Sequence, residues 1–150
     1  MRPERPAGSS VTKIRPFAVT DTDEVVALWE ECGLVRPWND PRKDIERKLR
    51  VQPELFLVAQ DGTEVVGSVM AGFDGHRGWI YYLAVAGSHQ QRSLGRALMQ
   101  QAEKLLVEMG CPKVNLMVRS TNEAVIGFYR RLGYEQDDVV SMGKRLLADA

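Results

Sequence analysis

A short polar loop, residues 87–92, separates an apolar run from a long amphipathic segment, and this arrangement is suited to binding an anion. The apolar run, residues 79–85, is aromatic, β-branched or small, which predicts a buried strand. A strand that enters a tight loop and then a helix directs unpaired backbone N–H groups towards one point. On these residues alone, the loop either binds a phosphorylated ligand or is a plain connection. Apolar residues at intervals of three and four predict the helix that follows, namely Leu94, Leu98, Ala102, Leu105 and Met109.

Asp74 and His76 are the residues outside this loop that are best suited to moving a proton. They lie in a polar stretch between two predicted strands, at a plausible cleft edge, and both side chains can accept a proton. For His76 the alternative is an ordinary turn histidine that is bonded to the backbone. His89 falls in the polar loop, where we expect it to face solvent.

The composition argues against several classes of protein. In 150 residues, 20 Lys and Arg balance 20 Asp and Glu, so no overall field favours nucleic acid or an anionic membrane. No apolar run approaches the roughly 20 residues of a membrane span, and residues 1–10 lack the apolar centre of a signal peptide. Cys32 and Cys111 have no metal-ligand spacing. We therefore expect a cytoplasmic protein with reduced thiols, no metal site, and no nucleic-acid or membrane partner.

The order of elements predicts a mixed α/β fold. Residues 1–11 are rich in Pro, Gly, Ser and charge and are expected to be a disordered leader, whereas residues 12–150 are expected to form a single domain. The expected order is a strand, two helices, three strands, a helix, a strand, a helix and a last pair of short strands. The strands are expected at residues 12–17, 55–60, 65–73, 79–85, 113–118 and within 134–147.

One predicted helix, residues 41–50, differs from the others because its apolar face is narrow. Asp40 is the expected N-cap, with Pro41 at the first helical position. Only Ile45 and Leu49 form a clear apolar pair, so we expect a peripheral helix that lies on the body of the domain. Its charged residues are expected to form a solvated face, namely Arg42, Lys43, Asp44, Glu46, Arg47 and Lys48.

Two motifs resemble signatures of the GNAT N-acetyltransferase family. The first joins Leu83-Ala84-Val85 to Gln90-Gln91-Arg92-Ser93-Leu94-Gly95-Arg96 and is similar to the family's acetyl-CoA motif. The resemblance implies that the loop amides bind the CoA pyrophosphate, while the strand holds the pantetheine arm and the acetyl carbonyl. Ser93 and Gln91 stand where many members carry glycine. A left-handed backbone there would cost a residue with a Cβ ~1–2 kcal/mol, which would weaken CoA binding about tenfold.

The second motif is similar to the other GNAT signature and contains Asn122, Ala124, Phe128, Tyr129, Gly133 and Tyr134. The resemblance implies that Asn122 contacts the pantetheine arm and that Tyr129 lies beside the thioester sulfur. A phenol with a pKa near 10 can deliver a proton to a departing thiolate, so Tyr129 is the candidate general acid. By its spacing alone, Tyr129 is better explained as an aromatic residue packed in the core.

The resemblance also implies the GNAT fold, a mostly antiparallel central sheet flanked by about four helices. A bulge within residues 83–85 would leave backbone N–H groups unpaired and facing the acyl oxygen, where they could stabilise an oxyanion. Some segments look like those of small bacterial GNAT proteins of the YpeA type, which does not identify an acceptor. The acceptor pocket is expected to be lined by Trp38, Asn39, Asp40, Asp74 and His76.

The expected reaction is direct transfer of the acetyl group of acetyl-CoA to a primary amine, either a small molecule or a protein amino group. No covalent intermediate is expected, because no cysteine lies in either motif. The acidic stretch 136–138 would favour a cationic acceptor if it borders the pocket, and is otherwise a polar turn. The altered Gln91 and Ser93 leave a second interpretation open, a non-catalytic module that binds or senses acyl-CoA. A homodimer is also left open.

Overall fold

Nine regular elements position the candidate site in the computed structural model, which describes residues 12–90 and 93–149. The predicted leader, residues 1–11, lies outside the described residues, as do Gln91 and Arg92. The strands are β1 (Thr12–Pro16), β2 (Phe56–Asp61), β3 (Glu64–Phe73), β4 (Gly78–Val85) and β5 (Val114–Leu116). The helices are α1 (Thr22–Glu31), α2 (Pro41–Lys48), α3 (Leu94–Glu108) and α4 (Glu123–Arg131).

The strands form one sheet in chain order, β1-β2-β3-β4-β5. Neighbours are antiparallel from β1 to β4, and β5 runs parallel to β4. This arrangement confirms the predicted mixed and mostly antiparallel sheet. The predicted hairpin between β2 and β3 is also present, because Gly62 takes a positive φ of 60° and Asp61 pairs with Glu64. None of the helices in the described ranges is long and apolar enough to cross a membrane.

Each face of the sheet has its own hydrophobic core. On one face, α3 buries Leu94, Leu98 and Ala102 of its predicted stripe, together with Met99 and Leu106. The prediction is wrong for Met109, which is 39% exposed, because the buried stripe continues through Leu106. On the other face, α1 and α2 cover the sheet, and Trp29 stacks between Phe56 and Tyr82. Each fully buried side chain of this size contributes about 1.5–3 kcal/mol. The sheet is therefore a rigid platform whose two faces are fixed independently.

Helix α2 begins as predicted and packs differently from the prediction. The Asp40 carboxylate accepts bonds from the amides of Arg42 and Lys43, and Pro41 is the first helical residue. The solvated charged face was expected to include Lys48, but this side chain is buried beside Ile45. That expectation is wrong for Lys48 because its position lies on the same helical stripe as Ile45, three residues earlier.

The last pair of strands, expected within residues 134–147, is absent, and residues 134–149 contain no helix or strand. The strand expected at 113–118 is also shorter, since β5 covers three residues. The cause is that side chains, and not a backbone ladder, fix this segment. Asp137 binds the side chains of Lys113 and Asn115, and Asp149 binds Arg47 on α2.

Candidate active site

A bulge interrupts the pairing of β3 with β4 at the centre of the sheet. Ser68 pairs with Ala84 and Met70 pairs with Tyr81, so the single residue between them on β3 faces both Tyr82 and Leu83 on β4. Tyr82 takes a positive φ of 52°, which is costly for a residue with a large side chain. The predicted bulge is confirmed, and it begins one residue before the expected range 83–85.

A buried hydrogen-bond relay holds this bulge in place. The indole Nε1 of Trp29 donates to Ser68 Oγ over 2.9 Å, and the Ser68 hydroxyl donates to the carbonyl of Tyr82 over 2.8 Å. The rings of Trp29 and Tyr82 stack with their centroids 3.7 Å apart. Ser68 has no solvent exposure. The strained carbonyl therefore receives a bond from the core, which the sequence alone did not indicate.

The outer edge of β4 opens just before the bulge. Pairing with β5 joins only residues 78–80 to residues 114–116. Beyond Ile80, no strand in the described part of the chain pairs with this edge. The amide of Ala86 donates inwards to Val66, and amides alternate along a strand, so the amide of Val85 faces away from β3. The C-terminal part of β4 therefore presents main-chain groups to a ligand that enters between β4 and β5.

The N-terminus of α3 lies at the end of this opening, and the first turn of the helix contains no acidic residue. Ser93 is the N-cap residue and has a left-handed φ of 60°. Its side chain makes no capping hydrogen bond. The predicted left-handed position is therefore confirmed for Ser93. Arg96 is exposed in the first turn and adds positive charge. These amides and the helix dipole favour an anion such as a diphosphate.

The two sequence motifs meet at this helix end. A Cβ added to Gly95 would lie 3.2 Å from the ring of Phe128, which is a tight contact, so glycine there eases the close approach of α3 to α4. Leu94 is buried beneath the first turn of α3. Gln90 is exposed and folds back so that its Nε2 donates to the carbonyl of Val85 over 3.1 Å.

His89 was expected to face solvent, and this expectation is wrong. Its ring is buried, with Nε2 2.6 Å from Asp61 Oδ2 and Nδ1 2.7 Å from Ser88 Oγ. The physical reason is that the short 3₁₀ turn Gly87–His89 places the ring against the end of β2, where a carboxylate is available. Residues that are distant in sequence make this contact, so the local polarity of the loop did not indicate it.

Tyr129 lies on α4 with its ring buried in the α3 face of the sheet. Phe128 and Tyr134 pack edge-on against it, with ring centroids 5.1 and 5.7 Å away. Burial raises the pKa of the phenol to about 12, so the hydroxyl stays protonated at any ordinary pH. Tyr129 also lines a cavity of about 1240 Å³ between β5, α4 and residues 134–141. Tyr129 therefore keeps its hydroxyl proton as a hydrogen-bond donor, and the residue lines an open groove.

Asn122 is the N-cap of α4, since its Oδ1 accepts a bond from the amide of Val125 over 3.3 Å. The side chain is exposed, and its amide NH₂ group makes no hydrogen bond within the described ranges. Capping and a contact to a pantetheine arm are compatible, because the cap uses only the amide oxygen of Asn122.

A second cavity, of about 600 Å³, lies between α2 and the strands β3 and β4 on the opposite face. Asn39 lines it, whereas Trp38 is 52% exposed and Asp40 is occupied as the cap of α2. Tyr81 and the bulge residue Tyr82 form its strand wall. Of the five residues expected to line the acceptor pocket, only Asn39 lines the cavity beside the bulge.

Asp74 and His76 lie in the exposed turn between β3 and β4 and are not part of this wall. The Asp74 carboxylate accepts bonds from the amides of His76 and Arg77, each 2.8 Å long. These backbone bonds lower the pKa of Asp74. The pKa of the Tyr81 phenol is raised, chiefly because the ring is partly buried and secondly because the negative charge of Asp74 is near. The turn therefore contributes negative charge near the rim of the cavity.

Three charged residues of α2, Asp44, Arg47 and Lys48, line the cavity although the sequence pattern assigned them to solvent. The Tyr82 hydroxyl donates to Asp44 Oδ2 over 2.6 Å, and Arg47 Nη2 donates to Asp44 Oδ1 over 2.7 Å. The signal that could have identified them is their spacing, because residues four apart on α2 share a face with the buried Ile45 and Leu49 stripe. Both cysteines are free, and no metal-binding cluster occurs within residues 12–90 and 93–149.

Comparison with known proteins agrees with this geometry. Residues 22–134 match the family model described as the acetyltransferase (GNAT) family. Acetyltransferase YE1169 of Yersinia enterocolitica is 54% identical over 137 residues, which are 91% of this chain and 97% of the relative. Acetyltransferase SG1711 of Sodalis glossinidius is 55% identical over 138 residues, with the same coverage of both chains.

Solved structures show the same fold at low sequence identity. The PaiA N-acetyltransferase from Thermoplasma acidophilum, in complex with coenzyme A, gives a TM-score of 0.76 at 19% identity and covers 87% of this chain and 93% of that one. AAC(6')-Iy, in complex with a CoA bisubstrate analogue, gives a TM-score of 0.76 at 17% identity. The match covers 91% of this chain and 100% of that one. With a matching family model and relatives above 50% identity, this chain belongs to the GNAT family of acetyltransferases.

Proposed function

We propose that this acetyltransferase uses acetyl-CoA as donor and transfers the acetyl group directly to a primary amine. The observation that carries the proposal is the juxtaposition of the β4 bulge with the uncapped N-terminus of α3. The opening beyond Ile80 has main-chain amides for a pantetheine arm and an acyl oxygen, and the helix end suits a diphosphate. The free thiols of Cys32 and Cys111 suit the reducing cytoplasm, where we place the reaction.

The residues around the opening divide the task of binding the donor. Leu83, Ala84 and Val85 supply the strand edge, and Ser93 to Arg96 supply the amides and charge for the diphosphate. Gln90, Gln91 and Arg92 form the rest of the proposed loop site. Asn122 has a free NH₂ group for the pantetheine arm. No metal is required, because the loop amides, the dipole of α3 and Arg96 provide the positive field.

The reaction requires a neutral amine. The acceptor first loses one proton, its nitrogen attacks the acetyl carbonyl, the C–N bond forms and the C–S bond breaks. The nitrogen then loses a second proton, and the CoA sulfur gains one proton, so the reaction balances. His76 and Asp74 are our candidates for the base that takes the first proton, and the bonds that lower the pKa of Asp74 make it the weaker of the two.

Tyr129 stabilises the departing sulfur in this scheme. Its pKa is about 12, whereas an ordinary thiol titrates near 8.5, so complete proton transfer to a finished thiolate is uphill by about 5 kcal/mol. A charge-assisted hydrogen bond from the phenol to the developing thiolate carries no such penalty. We therefore propose that Tyr129 acts chiefly as a hydrogen-bond donor to sulfur, and that the thiolate takes its final proton from water.

The test combines calorimetry with acetyl-CoA and a thiol-release assay across a panel of amines. We expect binding with a dissociation constant that calorimetry can measure, and CoA release that depends on the amine. Binding without release from any acceptor would favour a non-catalytic acyl-CoA sensor. Failure to bind acetyl-CoA at millimolar concentration would overturn the proposed function.

A further inference from the structure

The cavity between α2 and the sheet is lined by three charged side chains of the same helix, Asp44, Arg47 and Lys48. Arg47 is already paired with the carboxylates of Asp44 and Asp149. Asp44 and Lys48 are separated by one helical turn, so their Cβ atoms are roughly 5–6 Å apart on one face. Both line the cavity of about 600 Å³, which is within the size range of small-molecule sites. The remaining wall is largely apolar and aromatic, including Met70, Tyr81 and Tyr82.

Lys48 is the cation with unused bonding capacity. Its side chain is buried, with 9% of the residue exposed, and its ammonium donates to the carbonyl of Ala71. It forms no ion pair with a carboxylate in the described parts of the chain, although the charge of Glu54 is near enough to act on it. An ammonium has three N–H donors, and a buried charge is costly without an opposite charge. Burial accordingly lowers the pKa of Lys48.

Asp44 is the anion at the other end of the cavity and is attached to the reaction centre. Its Oδ2 accepts the bond from Tyr82, the residue that forms the bulge, and its Oδ1 accepts from Arg47. Each carboxylate oxygen can accept one further bond. Lys48 lies at Ala71, which pairs with Ile80, farther from the cofactor end of β4 than Tyr82. The negative pole is thus the one nearer the bulge.

We propose that this cavity binds an acceptor that carries a carboxylate as well as an amine, as a free amino acid does. The ammonium of the acceptor is attracted by Asp44 next to the bulge, and its carboxylate pairs with Lys48. The order of the two poles presents the amine, and not the carboxylate, to the opening in β4. This assignment rests on the proposed function, since it names the class of acceptor for the same site.

Acetylation changes the charge that the cavity recognises. The acceptor enters as a zwitterion and loses one proton to the base. Its nitrogen then forms the C–N bond as the C–S bond of the donor breaks, and the second proton lost from nitrogen balances the one gained by the CoA thiol. The product is an N-acetyl anion without a positive charge. It keeps its attraction to Lys48 and loses its attraction to Asp44, so its affinity should fall relative to the substrate.

The experiment compares matched acceptors that differ only in the carboxylate. Free amino acids are tested beside their carboxamides and beside the corresponding amines that lack the group. Initial rates of CoA release give kcat/KM, and calorimetry with each compound gives affinity without any need for turnover. One charge-assisted bond predicts that an accepted amino acid exceeds its carboxamide by about 10–100-fold in both measurements.

Lys48→Met removes the charge and keeps the length and apolar stem of the side chain. We expect it to reduce the difference between acid and carboxamide to within about threefold, chiefly by weakening the acid. Lys104→Met is the control, because Lys104 is exposed on α3 and the net charge changes equally. It should retain the full preference. The comparison of acceptors with the unaltered protein stands even if Lys48→Met fails to fold.

The outcomes separate this inference from the proposed function. Equal rates and affinities for acids and carboxamides would overturn the inference while transfer itself stands. Absence of CoA release from every amine would overturn the proposed function, and a Lys48-dependent preference in calorimetry would then still support a carboxylate site. A preference for acids that persists in Lys48→Met would also overturn the assignment, because another group would be the partner.

Discussion

His89 Nε2 lies 2.6 Å from Asp61 Oδ2, and this contact fixes the start of the cofactor loop to the end of β2. Both side chains are largely shielded, with 11% and 16% exposed. A shielded contact of this kind is worth more than a pair in open solvent, where the median is about 0–1 kcal/mol. The loop that leads to α3 is therefore held by a residue nearly thirty positions earlier in the chain.

We predict that His89→Ala raises the KM for acetyl-CoA by roughly 3–10-fold and leaves kcat within about twofold, because the loop loses its attachment while the bulge is intact. Steady-state kinetics with varied acetyl-CoA make the measurement. Ser88→Ala should have a smaller effect, since Ser88 is exposed and bonds only the other ring nitrogen. A fall in kcat with unchanged KM would refute a positioning role for His89.

For Tyr129→Phe we expect kcat to fall by about 10–100-fold, the value of one hydrogen bond to a charged sulfur. Affinity for acetyl-CoA should change little. Complete proton transfer by a general acid would give a larger loss, up to ~10⁴-fold. An unchanged kcat, with chemistry shown to be rate-limiting, would remove Tyr129 from the mechanism.

Tyr134→Phe is the matched control for that variant. The Tyr134 hydroxyl donates to Glu103 Oε2 over 2.6 Å. The Tyr134 ring packs edge-on against the ring of Tyr129. We expect loss of this bond to lower the free energy of unfolding by about 1–2 kcal/mol and to leave kcat nearly unchanged. Chemical denaturation and thiol release measured on both variants distinguish a stability effect from a catalytic one.

The raised pKa of Tyr129 predicts a specific loss of stability in alkali. A tyrosine whose pKa is about 10 unfolded and about 12 folded stabilises the fold fully below pH 10. This contribution, about 2–3 kcal/mol, is lost as pH rises from 10 to 12, because the unfolded chain gives up its proton first. Burial also raises the pKa of Tyr82 and Tyr134. Unfolding free energies measured between pH 8 and pH 11.5 should decline only above pH 10, and less steeply in Tyr129→Phe.

Ser93→Gly tests whether the left-handed backbone at this cap lowers the stability of the fold or the affinity for acetyl-CoA. Ser93 has a left-handed φ of 60° in the fold, and we assign the cost of this backbone conformation to folding. We predict that the variant gains up to ~1 kcal/mol in unfolding free energy and that its dissociation constant for acetyl-CoA changes less than about twofold. A tenfold gain in affinity would instead support the expectation drawn from the motif.

Several parts of the fold were predictable because their signals are local. The hairpin at Gly62, the cap at Asp40 and the apolar stripe of α3 each depend on residues within a few positions of one another, and each is present. The bulge was predicted close to its position from the resemblance of residues 83–96 to the GNAT acetyl-CoA motif. Its start at Tyr82 was missed because Ser68, on a different strand, fixes the pairing.

The missed features depend on contacts between distant residues. His89 is buried because its Nε2 contacts the Asp61 carboxylate at the end of β2, which is distant in sequence. The charged face of α2 was assigned to solvent because a pattern of charges does not reveal the cavity that Asp44 and Lys48 line. The expected last strands are absent because side-chain contacts hold this segment. Asp137 binds Lys113 and Asn115, and Asp149 binds Arg47 on α2.

The relay from Trp29 through Ser68 to the carbonyl of Tyr82 has a consequence for anyone who wishes to engineer this enzyme. The width of the proposed acyl entrance would depend on Ser68, a buried serine that holds the bulge from beneath the opposite layer. Libraries restricted to groove-facing positions would leave that width untouched. Variation of donor chain length should start instead from the indole and the hydroxyl hidden behind the strand.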